Sequence, residues 1–364
     1  LTASKTYDGN TSASVMTTGV TPSVVYDSDD VSVGTIAGVY NSPNVTANSV
    51  RVTGVTLTGA SANNYAWDTA SGQTATGTIL QLSSATWVGG TSTNWSDGAN
   101  WAVTGNLTQT GVLPNLNNVA LAIIPSGKSV VANAATGYTG QIQIGGTLRV
   151  ASDAYLGAVP SSVTADLITL DGGTLNVTDT LTMDSGRSVT LTANGGTFSV
   201  DASKSLNYAG VIAGTGGLTK TGSGTFSVSG ANTYAGGTTI SDGQLIAGGS
   251  GNALGTGSVS VGANRLSFDT AAPVAYSNPI SLTGAGVLEN LGAQMVTFTG
   301  GVNTNLSSSV VVDGGATGLT IANTMTPTGA GAGYGIKGNV TFTGNDMNGL
   351  VLRTAGDATA KFTL

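Results

Sequence analysis

The 364-residue chain has no cysteine and no histidine. Without thiols it has no disulfide framework, no thiolate zinc site and no redox-dependent fold. Without imidazole, the Ser-His-Asp and Cys-His arrangements and histidine metal sites are excluded together. Charged residues make up only 8% and aromatics 5%. Six lysines and five arginines are scattered from Lys5 to Lys361 with no basic cluster, and the net charge is −7. A surface of this kind has no footprint for neutralising phosphates, so nucleic acid is not an expected partner. No apolar run approaches the ~20 residues of a spanning helix, so membrane insertion of this segment is not expected either. The scarcity of charge does not signal disorder, because hydrophobic residues reach 40% and disorder pairs low hydrophobicity with high charge.

Glycine, threonine, serine and asparagine fill the space that charge leaves. From about residue 117 a repeat takes over. Gly145-Gly146-Thr147-Leu148-Arg149-Val150 returns as Gly172-Gly173-Thr174-Leu175-Asn176-Val177 and again as Gly195-Gly196-Thr197-Phe198-Ser199-Val200, at offsets of 27 and 23 residues. A period in the twenties reads as one solenoid coil per repeat. Alternate Leu, Val, Phe and Ile then point inward and stack coil upon coil, while Thr, Ser and Asn point out. The uneven period predicts protruding loops of varying length. It also predicts no regular ladder of the Thr-x-Thr pairs (Thr297-Phe298-Thr299, for example) that an ice-binding face would need.

The densest part of this pattern is Gly210 to Gly248. Short runs at 218–220, 225–228, 238–240 and 244–246 alternate with Gly, Asn and Asp, the residues that accept corner geometry. Gly214, Gly216, Gly217, Leu218, Lys220, Gly222, Gly224, Thr225, Gly230, Asn232, Thr233, Tyr234, Gly236, Gly237, Thr238, Gly243 and Leu245 follow one long pattern. That pattern resembles the passenger-associated repeat of bacterial autotransporters and filamentous-haemagglutinin-type adhesins, with Phe226 where Leu is usual. The resemblance implies a right-handed β-helical stalk on a secreted surface protein.

Residues 1–82 read differently, with denser charge and longer strands at 12–16, 31–36, 50–57 and 74–80. Lys5-Thr6-Tyr7-Asp8-Gly9-Asn10-Thr11, Asp29-Asp30-Val31 and Gly59 to Tyr65 resemble the YDG repeat of haemagglutinin-type adhesins, which implies a small β-rich module. Residues 83–116 form a connector with three of the four tryptophans, Trp87, Trp95 and Trp101. This arrangement resembles the start of β-helical passenger segments. Two readings apply: the indoles cap the open end of the solenoid, or they form a platform on which a glycan stacks.

Acid–base chemistry would rest on 17 aspartates and a single glutamate, Glu289. Asp166, Asp171, Asp179 and Asp184 with Arg187 lie one to two coils apart, as carboxylates do in β-helical polysaccharide-cleaving enzymes. Asp171 and Asp184 each precede a glycine turn, however, where aspartate does ordinary turn work. Asp27, Asp29 and Asp30 are the candidates for Ca²⁺, but no mid-loop glycine or closing glutamate completes an EF-hand. The Gly333 to Gly338 run fits Gly-x-Gly-x-x-Gly but precedes a strand pattern, not a helix.

The sequence therefore predicts an all-β chain: a small β-rich domain (1–82), a Trp-rich connector or cap (83–116) and a right-handed parallel β-helix (117–364). No catalytic, cofactor-binding or metal residue is assigned, and no enzyme is expected. Trp87, Trp95 and Trp101 are the candidate glycan contacts. By resemblance the chain is a piece of a large secreted or outer-membrane-associated bacterial adhesin. Its implied partners are host or bacterial cell surfaces or matrix polysaccharide. The alternatives are a self-associating filament or sheath subunit and a β-helical polysaccharide-binding or -cleaving protein.

Overall fold

The computed structural model describes residues 1–68, 72–305, 310–316, 318–321, 325–328, 333–337, 339–343, 351–354 and 361–363. It divides into two compact units, residues 1–122 with 138–140, and residues 123–137 with 141–364. The architecture is all-β apart from three short 3₁₀ turns among the described residues.

In the first unit, β1 (Thr2–Thr6), β2 (Ser12–Val15), β3 (Ser32–Tyr40), β4 (Ser49–Thr58) and β5 (Thr74–Leu80) form one sheet in the order β1-β5-β4-β3-β2. β1 pairs parallel with β5 and the remaining pairs are antiparallel. The two edge strands meet, because the Met16 amide donates to the Thr2 carbonyl at 2.9 Å. The sheet is thus rolled rather than open, which shields edges that would otherwise invite pairing. Ala3, Val15, Ile36, Val50, Val52, Ala75 and Ile79 fill its interior. Register shifts between Val33 and Ile36 keep the apolar residues on one face of the β3–β4 pair, where Val33 faces Leu57 and Ile36 faces Val55. The same unit contains an antiparallel meander, β6 (Leu82–Trp87), β7 (Trp101–Val103) and β8 (Asn106–Thr110).

The second unit is a β-solenoid of about nine turns among the described residues, built from parallel sheets as the repeat predicts. Its longest sheet has ten described strands, from Ser129–Ala132 to Met325–Thr328. The three sequence repeats are stacked in register, Leu148 on Leu175 on Phe198 and Val150 on Val177 on Val200. Each of these side chains is buried, so each coil supplies the neighbour that the next one needs. The Gly-Gly at each repeat corner has a steric reason. A Cβ on Gly173 would lie 2.2 Å from the carbonyl oxygen of Ile144 one coil earlier, closer than any side chain permits.

The uneven repeat period conceals one regularity. Thr147, Thr174, Thr197, Thr219 and Thr239 are direct register partners in the ten-stranded sheet, followed by Ser260 and Ser281. Loops absorb the variable spacing while the strands keep step, so a single outward hydroxyl column forms; the column two residues on is Arg149, Asn176, Ser199 and Thr221, so these strands form no ladder of Thr-x-Thr pairs. In a neighbouring nine-stranded sheet, residues 333–337 form a strand, and Gly338, the last glycine of the dinucleotide-like pattern, lies outside the described residues.

Candidate functional site

The three connector tryptophans come together, but away from solvent. Trp87 and Trp101 are register partners on β6 and β7, and their rings meet edge to face at 5.1 Å. Trp95 packs on Trp101 at 4.7 Å and on Tyr138 at 5.8 Å. Their exposures are 2%, 3% and 0% for Trp87, Trp95 and Trp101. The indole of Trp95 donates to the Pro114 carbonyl and that of Trp101 to the Trp95 carbonyl, both at 2.9 Å. A sugar stacks on an open ring face, and this cluster presents none. The expected glycan platform at Trp87, Trp95 and Trp101 is therefore absent from the surface; the indoles are the core of the connector. The 91–100 loop above them is closed by Asp97, which accepts from the Thr91 and Ser92 hydroxyls at 2.6 and 2.9 Å. The Thr91 hydrogen bond is the main cause that holds the Asp97 carboxyl below its ordinary range.

The aspartates weighed for catalysis do not converge. Asp171 accepts from Thr192, Asn194 and Gln143, and the Thr192 and Asn194 bonds keep its carboxyl ionised below the usual value. Asp179 pairs with exposed Lys204, Asp184 caps the turn at Gly186, and Asp166 accepts from Thr190. Arg187 is fully buried and faces Asp153 instead. In the first unit, Asp29 accepts from the Ser61 and Tyr65 hydroxyls, each at 2.9 Å, and Asp30 accepts from the Ala60 amide at 3.0 Å. The acidic cluster read as a Ca²⁺ candidate ties one loop to another. Among the described residues no group of three or more carboxylates is arranged to hold a metal.

The residues that define the passenger pattern lie inside the coil stack. Lys220 takes a core position between Phe198 and Ile240, fully buried. Its ammonium donates to the carbonyls of Thr221, Gly222 and Asp242 at 2.8, 2.6 and 3.1 Å. Burial pulls its pKa down to about 8, with the Asp242 charge opposing. Asn232, also fully buried, accepts from the Ile212 amide at 2.8 Å and donates to the Ala253 carbonyl at 2.6 Å, which links the coil before to the coil after. The Tyr234 hydroxyl meets Thr238 at 2.6 Å, and Thr238 donates to the Leu254 carbonyl at 3.1 Å. Lys220, Asn232 and Thr238 each bond buried backbone groups at the corners, and Tyr234 acts through the Thr238 hydroxyl.

Among the described residues two open features stand out. On the solenoid, a polar trough floored by the repeat glycines has cavities of about 410 and 230 Å³ that share Gly172 and Asn194. Gln143, Asp171 and Asn194 line one part, and Thr197, Thr219 and Thr239 the other. In the first unit, the mouth of the rolled sheet holds a cavity of about 600 Å³ walled by Val31, Val33, Ile36, Val52, Val55 and Leu57 with Trp67 at its side. Sequence reasoning missed both, because each is made by residues that only the strand register brings together.

Residues 1–75 match the YDG domain family, and residues 218–247 match the passenger-associated-transport-repeat family. Over 84 residues, 23% of this chain, the sequence is 48% identical to the adhesin BmaC autotransporter of Brucella suis biovar 1 (strain 1330). The matched stretch spans 2% of that protein's length. No solved structure matches the chain. The chain thus carries a YDG-domain match and a passenger-associated-transport-repeat match, and it resembles an autotransporter-type adhesin.

Proposed function

We propose that this chain is a rigid, non-enzymatic display segment of a secreted or cell-surface adhesin, and that it takes part in attachment to cells or to matrix polysaccharide. The observation that carries the reading is the placement of Lys220, Asn232 and Tyr234. The distinctive residues of the repeat fasten one coil to the next and none faces a reactive cleft. A solenoid fastened in this way resists bending and holds its surface loops at fixed positions. The relative named as an adhesin supports the same assignment.

The contact surface that fits a glycan best is the trough beside the threonine column, not the tryptophan cluster. Thr197, Thr219 and Thr239 make no side-chain hydrogen bond within the described residues, so their hydroxyls are available to a polar ligand. Successive strands lie about 4.8 Å apart, close to the length of one sugar unit in an extended strand.

Beads coated with the purified chain test this directly. Saturable adhesion to host cells or polysaccharide films, competed by soluble chain and weakened by Thr219→Arg with Thr239→Arg, supports the reading. Adhesion no greater than that of beads carrying an unrelated β-solenoid would refute the adhesive role.

A further inference from the structure

We infer that the Tyr7-Asp8-Gly9 turn is a docking knuckle whose partner is the 111–118 segment of the same chain, and that the N-terminal sheet and the tryptophan meander therefore open as one cooperative unit. This goes beyond the display function and does not depend on it. The YDG-family match ends at residue 75. The turn at its start nevertheless bonds to Leu113, 106 residues on from Tyr7.

The turn is shaped by its own neighbours. The Lys5 ammonium donates to Asp8 at 2.6 Å and to the side-chain and backbone oxygens of Asn10, each at 2.8 Å. Asp8 accepts in turn from the Asn10 amide at 3.1 Å, and the Tyr7 amide donates to the Leu80 carbonyl at 2.8 Å, which ties the turn to β5. Gly9 then stands at φ +77°, where a Cβ would lie 2.1 Å from the Gly111 carbonyl oxygen. Only glycine lets the two backbones approach so closely. Tyr7 is buried, and its hydroxyl donates to the Leu113 carbonyl at 3.3 Å.

The same segment holds the indoles. The Gly111 amide donates to the Gly98 and Trp101 carbonyls at 3.1 and 3.0 Å, the Pro114 carbonyl accepts from Trp95, and Val112 between them is fully buried. Residues 111–114 are thus a strap bonded to the turn through Leu113 and to the tryptophan cluster through Gly111 and Pro114. A second seam runs through Asn118, which is fully buried. Its side chain accepts from the Val45 amide at 2.9 Å and donates to the Asn44 side chain at 2.7 Å, and its carbonyl accepts from the Leu82 amide at 2.9 Å. Parting the sheet from the meander would strip buried polar groups on both at once, and that shared cost makes their opening cooperative.

Native-state hydrogen exchange of the full chain tests the coupling at two sets of amides. One joins β4 to β5, and the other is Val88 and Gly111 beside the indoles. Gly9→Ala should accelerate both sets by the same factor, about tenfold or more, equivalent to ~1.4 kcal/mol. Gly19→Ala is the control, at φ +78° but with no atom within 4 Å of its Cβ, and should accelerate both sets clearly less. Tyr7→Phe keeps the ring and removes the donor to Leu113, so it should accelerate both sets about fivefold, as loss of one hydrogen bond does. Should Gly9→Ala fail to fold, Tyr7→Phe alone decides. Acceleration confined to the sheet amides overturns the coupling. Gly9→Ala no more disruptive than Gly19→Ala, or a folded Tyr7→Phe that changes neither set, overturns the docking.

Discussion

The ammonium of Lys220 donates at 3.1 Å to the backbone carbonyl of Asp242, a residue of the following coil. A lysine in the core column of a solenoid is costly, because burial disfavours its charged form. Its three carbonyl acceptors offset part of that cost, because the ammonium and three corner carbonyls satisfy one another. The repeat pattern places lysine there because it alone combines a long apolar stem with three donors at its tip.

A pH dependence follows from that burial. Lys220 titrates at about 8 in the folded chain against an ordinary 10.5. Between those values the unfolded chain holds the proton and the folded chain does not, so stability from this group rises as pH climbs from 8 towards 10.5. Burial also pushes the hydroxyls of Tyr138, Tyr208, Tyr234 and Tyr276 well above their ordinary 10.0. Above pH 10 the unfolded chain ionises them first, and stability falls. Melting temperature measured against pH should therefore rise from about 8 to 9.5 and drop steeply beyond 10. Lys220→Met should remove the rise and leave the drop.

Gly222, whose carbonyl receives the shortest of the Lys220 bonds, has φ +72°, and an added Cβ would stand 2.3 Å from the carbonyl oxygen of Val200. Both the backbone and the neighbouring coil forbid a side chain. Gly222→Ala should destabilise the solenoid by about 2–4 kcal/mol, the sum of left-handed strain and displaced coil packing. Denaturant unfolding measures it. Gly127→Ala, also at positive φ but with no atom within 4 Å of its Cβ, should cost clearly less.

How much of this was legible in the sequence depended on whether the signal was local. The register of Leu148, Leu175 and Phe198 is written in three nearly identical hexapeptides, and the structure stacks them as written. In the N-terminal module four strands were visible from alternation, but β1 was not, because Thr2–Thr6 owes its state to parallel pairing with β5 more than seventy residues away. The rolled closure and its cavity escaped for the same reason. The tryptophans were visible but ambiguous, since indoles serve cores and sugar sites alike, and only the pairing of Trp87 with Trp101 across two strands decides between them. The threonine column was hidden by unequal loops.

Because the indoles are core, Trp95→Ala should act on folding rather than on ligand. The substitution removes a side chain 3% exposed, its ring contacts with Trp101 and Tyr138, and the bond to the Pro114 carbonyl. A loss of about 3–5 kcal/mol is expected for the unit that contains it. Near-ultraviolet circular dichroism, which reports the coupled indoles, should collapse with it. Adhesion lost at a temperature where that signal is retained would restore a ligand role to Trp95.

Arg187 gives the sharpest test of what holds the solenoid's loops. Its guanidinium is fully buried and forms a two-pronged pair with Asp153, Nε to Oδ1 at 2.9 Å and Nη2 to Oδ2 at 3.1 Å. The same fork donates to the carbonyls of Asp153, Leu156, Gly157 and Ala158 at 2.9–3.3 Å. The Tyr208 hydroxyl in turn donates to the Arg187 carbonyl. One side chain thus gathers the entire 153–158 turn, which has no strand pairing of its own. Arg187→Met should cost about 3–5 kcal/mol by leaving the Asp153 carboxylate with the Asp184 amide but no cation, and the carbonyls without their donor. Arg187→Lys should recover little of it, because an ammonium cannot reproduce a planar five-donor fork. Asp153→Asn should cost less than either, since the four carbonyl bonds survive. Chymotrypsin should cut the arginine variants at Tyr155 or Leu156 well before it cuts the parent chain, because a released turn is a substrate and a pinned one is not. If Arg187→Lys matched the parent in both stability and cleavage rate, the charge alone would be sufficient and the fork would not be the fastening.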